Sequence, residues 1–201
     1  MWKQLRPAAA VFVLMTLLTG VLYPLAVTGV AQGIFGHKAN GSLIDRNGKT
    51  AGSELIGQQF DDPNCFWGRL SATTPPYNGG ASGGSNYGPM NAGLIDAAKA
   101  RIDALHKADP NNTAPVPVDL VTASGSGLDA DISVAGALYQ APRVARARGL
   151  DEVKVREIVL RLVEGRQLGV LGEPRVNVLA LNLELNSLDH RGKESLSGDR
   201  Q

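Results

Sequence analysis

The chain has 201 residues, with 20 Lys and Arg against 19 Asp and Glu, so there is no basic excess to suggest nucleic acid as a partner. Glycine supplies 24 residues and aromatics only 5%, which points to a loop-rich fold around a modest core. Cys65 is the single cysteine and His37, His106 and His190 stand far apart, so an internal disulfide is excluded and no zinc-ligand spacing appears.

From Pro7 to Gly36 no residue is charged, and "AAAVFVLMTLLTGVLYPLAV" is apolar over the length that crosses a bilayer as a helix. A cleaved secretory signal is the rival reading, because "MWKQLRP" makes a basic front and "AVTG" offers small residues for processing. The apolar run exceeds a signal core, and Pro24 and Gly29 are tolerated in a membrane helix, so an uncleaved anchor is expected. Lys3 and Arg6 before the span nearly balance Lys38, Arg46 and Lys49 after it. A short basic front with a large domain behind places the domain outside the cytoplasm. The expected division is a cytoplasmic N-terminus at 1–7, a transmembrane helix at 8–30, a soluble periplasmic domain at 31–188 and a flexible tail at 189–201.

Residues 41–70 alternate short apolar pairs with Gly, Asn and Asp, as strands joined by tight turns do. Cys65, between Asn64 and Phe66, reads as a small buried hydrophobe. No charge occurs between Arg69 and Asp96. Two readings of that loop, 70–95, stand side by side: a solvated flexible loop, or a surface that lies against another protein. Asn91 is placed to cap a helix running to about Lys107, with Leu94, Ala98, Ile102 and Leu105 at helical spacing. A Pro-rich connection leads to "VDLVTA", read as extended.

A helical block follows Ser133, its expected cap, and Pro142 divides it. Leu138, Ala141 and Ala145 face inward there while Arg143 and Arg146 project out. The next helix starts at Asp151 and stops at Gly165, with Glu157 and Arg161 paired along it. Arg143–Arg166 carries seven basic and four acidic residues, read as the solvated side of helices or as a face for an anionic surface. "GEPRVNVLALNLELNSL" reads as a helix capped by Asn177, with Val178, Leu181, Leu185 and Leu188 at three-to-four spacing. The fold class is α+β: one N-terminal transmembrane helix followed by a single loop-rich soluble α+β domain.

The loop "SGSGLDADIS" at Ser124–Ser133 tests for phosphate chemistry. It has no lysine, and Asp129 and Asp131 follow it, so it does not match a phosphate-binding loop. "RNGKT" has Gly-Lys-Thr, but Leu43 stands where the first glycine is required. No Gly-x-Ser-x-Gly nucleophile motif in a strand-turn-helix frame occurs, so a hydrolase using Ser124 or Ser126 is the weakest reading. Asp129 and Asp131 are read as turn and pre-helix residues. The residues describe a membrane-anchored binding or assembly subunit, with no catalytic residue of its own. Without resemblance, the competing reading is a secreted periplasmic binding domain behind a cleaved signal.

"GSELIGQQF", "FWGRLSAT", "ASGGSNYGP", "PVDLVTASGSGLDADIS", "QAPRVARARGL" and "LGEPRVNVLALNLEL", in this order behind one span, resemble the C subunit of the Kdp-type potassium-transporting ATPase of bacteria (KdpC family). The resemblance covers roughly residues 1–188. Ala130 and Val134 stand where the family often has proline, as does Leu70 after "WGR". It implies a single-pass subunit of the bacterial inner membrane with a periplasmic domain. Its implied partners are a channel-like potassium-translocating subunit, a P-type ATPase subunit bearing the catalytic aspartate, a small helical subunit and the lipid bilayer. Potassium is then the transported ion of the complex.

The family is described as a catalytic chaperone that supports ATP use, with ATP binding proposed. Ser124, Gly125, Ser126, Gly127, Gln140 and Gln167 are the residues that resemblance would bring to a nucleotide. A domain outside the membrane cannot touch a cytoplasmic ATP site, so any effect on ATP use is expected to travel through assembly. Asp61 and Asp62, beside the uncharged loop 70–95, are the expected potassium-entry acids, since potassium is met by oxygen ligands. That side is expected to dock on the outer vestibule of the channel subunit.

Overall fold

The computed structural model describes residues 2–46 and 48–198, with side chains described over 3–46 and 48–188. Its contacts divide the chain into two units, 1–53 and 54–201. The first holds α1 (Trp2–Leu17), a π-helical turn (Leu18–Leu22), α2 (Tyr23–Ala39) and an antiparallel hairpin of β1 (Leu43–Arg46) and β2 (Lys49–Ser53). The stretch Lys3–Ala39 is long and apolar enough to cross a membrane, and its apolar side chains are exposed along it. The wide turn has a local cause. Pro24 brings no N–H and crowds the carbonyl one turn before it, and just ahead of it Tyr23 N–H reaches back to Leu18 O, five residues away.

The second unit places α5 (Val134–Arg148), α6 (Glu152–Arg161) and α7 (Val178–Gly198) with a small antiparallel sheet in the order β3 (Asp131–Ser133), β5 (Arg175–Asn177), β4 (Val163–Glu164). A longer α3 (Ala92–Ala108) and the single-turn α4 (Val118–Val121) complete it. Phe66, Leu120, Ile132, Val144, Val155, Val159, Val176, Leu181 and Leu185 form the core. The α+β fold behind one apolar helix is therefore as the periodicity predicts. The expected tail from 189 lies, in its side chains, outside the described residues, and α7 is described to Gly198.

The expected caps are present. Asn91 accepts from Gly93 N, Ser133 Oγ from Gly136 N at 2.8 Å, Asp151 from Val153 N, and Asn177 from Ala180 N. Ser133 is itself held: Asp119 accepts from its N–H at 2.7 Å and from its hydroxyl at 2.9 Å. Ser133→Ala is expected to lower stability by about 1–2 kcal/mol, read as a lowered denaturation midpoint of the full-length chain, while Ser187→Ala, whose hydroxyl donates to Glu184 O on half-buried α7, stays within about 1 kcal/mol.

Five local expectations are corrected. "VDLVTA" is not extended throughout, because Val118–Val121 turns as α4, burying Leu120 while Thr122 Oγ1 donates to Val118 O. Pro142 does not divide α5. Ala141, Val144 and Ala145 are buried on both sides of it, and that packing outweighs the missing N–H, which costs about 3 kcal/mol in an exposed helix. The helix from Asp151 ends at Arg161 instead of Gly165, because Val163–Glu164 pair with β5; the left-handed stop is Gly149, at φ +65°, after α5. Arg161 pairs with Glu184 on α7 at 2.7 Å, and the within-helix pair is Glu152–Arg156. Asp131, read as a turn residue, is in β3 and pairs with Arg175 at 2.8 Å.

Candidate functional site

The uncharged loop is built outward from the residues that precede it. Phe66 and Trp67 lie in irregular backbone inside the core, where unpaired N–H and C=O groups would be costly. Two side-chain amides serve them. Asn182 of α7 accepts from Phe66 N at 2.8 Å and donates to Phe66 O at 3.0 Å. Gln140 of α5 accepts from Trp67 N at 2.9 Å and donates to Trp67 O at 3.0 Å. Each amide does what a neighbouring β-strand would do. The segment is thereby held like a strand between two helices.

Trp67 has Arg101 and Arg143 over its ring, with guanidinium carbons 5.1 and 4.5 Å from the centroid. Arg143, expected to project outward, is buried. It donates to Pro63 O, to Cys65 O at 3.0 Å and to Gln140 Oε1 at 2.7 Å. Burial lowers its pKa to about 10, with Asp109 acting in the opposite sense. Arg146, as expected, is on the outer side, paired with buried Asp109. Cys65 is half-buried, and its thiol donates to Asn64 Oδ1; burial pushes its pKa up.

Beyond Leu70, which pairs in parallel with Ala123, the loop closes on itself. Ser71 Oγ accepts from Tyr77 N at 2.9 Å and donates to Gly127 O at 2.7 Å, and Thr73 Oγ1 accepts from Asn78 N and donates to Pro75 O. Tyr77, at φ +58°, donates its hydroxyl to Arg69 O at 2.7 Å. The glycine-rich strip Ser82–Gly84 then lies on "SGSG": Gly83 N and Ser82 Oγ both donate to Ser126 O. A Cβ on Gly84 would come within 2.9 Å of Gly125 O, and one on Gly127 within 2.8 Å of Gly83 O. The two glycine stretches are there to approach each other.

Of the residues weighed for a nucleotide, Ser124 N donates to Leu70 O, and Ser126 Oγ accepts from Leu128 N. Gln140 is in the core, while Gln167 belongs to the hairpin between β4 and β5. The structure does not bring these six together. Asp62 caps a turn by accepting from Asn64 N, and its carbonyl accepts from the Trp67 indole N–H. Asp61 accepts from Gln59 Nε2 at 2.7 Å and lines a cavity of about 90 Å³ with Arg69, Tyr77 and Arg101. Among the described residues no group of three or more His, Cys, Asp and Glu is placed to hold a metal.

Burial raises the Tyr77 phenol to about 12, with Arg101 partly offsetting the rise. The folded chain resists ionising a group that the unfolded chain ionises near 10, so this contribution is complete below pH 10 and lost between about 10 and 12. Stability of the full-length chain should fall more steeply across that interval than stability of Tyr77→Phe. Superimposable pH profiles would refute this assignment.

The outer surface of the loop is uncharged. Tyr87, Leu94, Ala97 and Val121, with Ser71 and Ser85, line a groove of about 400 Å³, and Met90 in the same loop is 94% exposed. Helix α3 has Leu105 as its one fully buried side chain, so most of its length serves the surface. The residues that sequence reading missed are Asn182, Arg143 in its buried role and Asn177 Nδ2, which donates to Glu54 O. Asn182 left one signal: an amide between Leu181 and the Leu185 turn, on the apolar face of α7.

The chain joins one helix long and apolar enough to cross a membrane to a small α+β domain that carries an uncharged, internally bonded loop, the build of a small membrane-associated protein. The model of the KdpC family, described as K+-transporting ATPase, c chain, matches residues 5–187. The chain belongs to that family. It is 60% identical over 187 residues to the potassium-transporting ATPase KdpC subunit of Sorangium cellulosum (strain So ce56), covering 92% of this chain and 98% of the relative. The corresponding subunit of Polaromonas naphthalenivorans (strain CJ2) is 64% identical over 185 residues, covering 92% and 94%. That of Methylococcus capsulatus is 60% identical over 189 residues, covering 94% and 100%. The chain is thus a component of a potassium uptake complex.

Proposed function

We propose that the chain is a non-catalytic accessory subunit, anchored by its one apolar helix with the folded domain on the periplasmic side. The domain docks through loop 70–95 and the exposed side of α3 on the channel-like potassium-translocating subunit. It stabilises that subunit against the P-type ATPase subunit, on which the catalytic aspartate sits, and against the small helical subunit. The observation that carries this reading is the loop itself. It is uncharged from Leu70 to Ile95, yet tied down by Ser71, Thr73, Tyr77 and Ser126 and bordered by an uncharged groove that Tyr87, Leu94 and Val121 help to line. An ordered surface of that kind suits a protein partner better than bulk water.

Support of ATP use travels through the assembly as a coupling between distant sites. Backbone groups of Ser124, Ser126 and Gly127 are engaged with loop 70–84, and Gln140 is engaged with Trp67, which favours a structural role for these residues over direct contact with ATP. Asp61, which lines the small cavity and is exposed, is the residue through which this face would influence potassium entry.

A tag after Gln201, pulled from mildly solubilised membranes with the intact mass read in the same run, tests the reading. A full-length chain carrying the channel-like subunit and the P-type ATPase subunit is expected. A shortened chain without partners overturns it. Saturable ATP binding by the purified full-length chain, lost on Gln140→Ala with the fold intact, would replace the coupling account by a direct one.

A further inference from the structure

Between β4 and β5 the chain makes a tight hairpin whose aliphatic side chains are exposed at its tip. Gln167 and Leu171 exchange both backbone hydrogen bonds at 2.9 Å. One turn outside them, Arg166 closes the base with two bonds to the Glu173 carboxylate, at 2.7 and 2.8 Å. At the tip, Leu168 is 91% exposed, Val170 70% and Leu171 57%. A solvated turn of this kind usually carries Asn, Asp or Ser. Here Leu168 adopts φ +53°, a region that disfavours a Cβ-bearing side chain, and Gly169 and Gly172 also take left-handed backbone.

We propose that this tip is a preformed knob that seats in an apolar socket on another chain of the potassium-transporting ATPase. The argument for that occupant is one of area and rigidity. Three aliphatic side chains offer on the order of 400 Å², short of the roughly 800 Å² per partner of a self-standing interface, so the tip by itself does not sustain a dimer with a second copy. It suffices as one contact between chains already held in one membrane, where the cost of bringing them together has been met elsewhere. A fluid lipid surface makes no demand on backbone geometry, whereas a socket rewards a knob ordered in advance by the Arg166–Glu173 clamp. The clamp also pairs the two charges nearest the tip in sequence, and Glu164 and Arg175 just outside them pair with each other at 2.8 Å, as an uncharged socket requires. The proposal rests on the reading that the chain works among partner subunits, and it adds a contact separate in sequence from loop 70–95.

The test is photocrosslinking in membranes that contain the co-expressed ATPase subunits, with p-benzoylphenylalanine placed at position 168 in one sample and at position 90 in another. An adduct from position 168 whose mass identifies another ATPase subunit is expected. The pair Leu168→Asp and Leu171→Asp should reduce the retained partner at least tenfold while the far-ultraviolet circular dichroism of the full-length chain is unchanged. Adducts from 168 only to lipid, only to a second copy, or to nothing overturn the proposal. If position 90 reaches a partner in the same membranes, the docking reading stands while the knob fails; if the chain purifies without partners, it is the docking reading that fails. Should the double variant not fold, the adduct at 168 still decides.

Discussion

Replacing Asn182 by leucine is expected to lower the stability of the folded domain by roughly 2–5 kcal/mol, among the larger effects a single side chain can have here. Leucine keeps the branched four-atom shape of the side chain, so the lost hydrogen bonds are the main chemical change, with some overpacking added by the larger methyl groups. Leucine leaves both the N–H and the C=O of Phe66 unpaired at a site with no access to water, and each carries its own desolvation cost of about 1–3 kcal/mol. Asn186→Ala, four residues on at an exposed position, removes a contact to Arg148 and should cost less than about 1 kcal/mol. Urea denaturation of the full-length chain followed by circular dichroism separates the two. Equal midpoints for both variants would mean that the backbone of Phe66 finds another partner and that the amide is dispensable.

The second large effect lies in the glycine pair of "SGSG". Gly127→Ala should destabilise by about 3 kcal/mol or more and release loop 70–84, whereas Gly125→Ala should stay within about 1 kcal/mol. Gly127 has φ +69°, and a Cβ there would be 2.6 Å from Thr73 Cγ2 and 2.8 Å from the Gly83 carbonyl, which is backbone and cannot swing aside. A Cβ at Gly125 meets nothing within 4 Å. Limited proteolysis of the two variants reports the loop directly, with cleavage between residues 71 and 84 expected for Gly127→Ala alone. If the proposed docking face is correct, that variant should also lose its partners in the pull-down. Proteolysis without loss of partners would separate the loop's order from assembly.

What the sequence made legible followed rules that act over a few residues. Asn91, Ser133 and Asn177 announced their helices because a short polar side chain before an apolar period has one efficient local use. The apolar helix was legible for the same reason, since its signal is a sum over one continuous run. The latch on Phe66 and Trp67 was not. Its partners are 116 and 73 residues away, and no spacing rule links an asparagine in one helix and a glutamine in another to the same dipeptide. Arg143 was misplaced because helical periodicity sets its direction but not what the direction meets; the carbonyls of Pro63 and Cys65 make a buried guanidinium tolerable. Pro142 misled by a rule that holds for exposed helices and yields when both faces are packed. The strands β3, β4 and β5, of two or three residues, are too short for alternation to register at all.

The wide turn at Leu18–Leu22 alters the phase of the membrane helix. A π turn takes in one residue more than an α turn, so every side chain after it is rotated by about 100° relative to an uninterrupted helix. Thr16 is therefore not continued by a straight row at every fourth residue, and the row formed by Gly29 and Gly33, open along the later half, points in a direction that the earlier half does not share. The single helix behaves as two short screws of different azimuth joined end to end. A helix packed along it would meet two stripes, one before the wide turn and one after it.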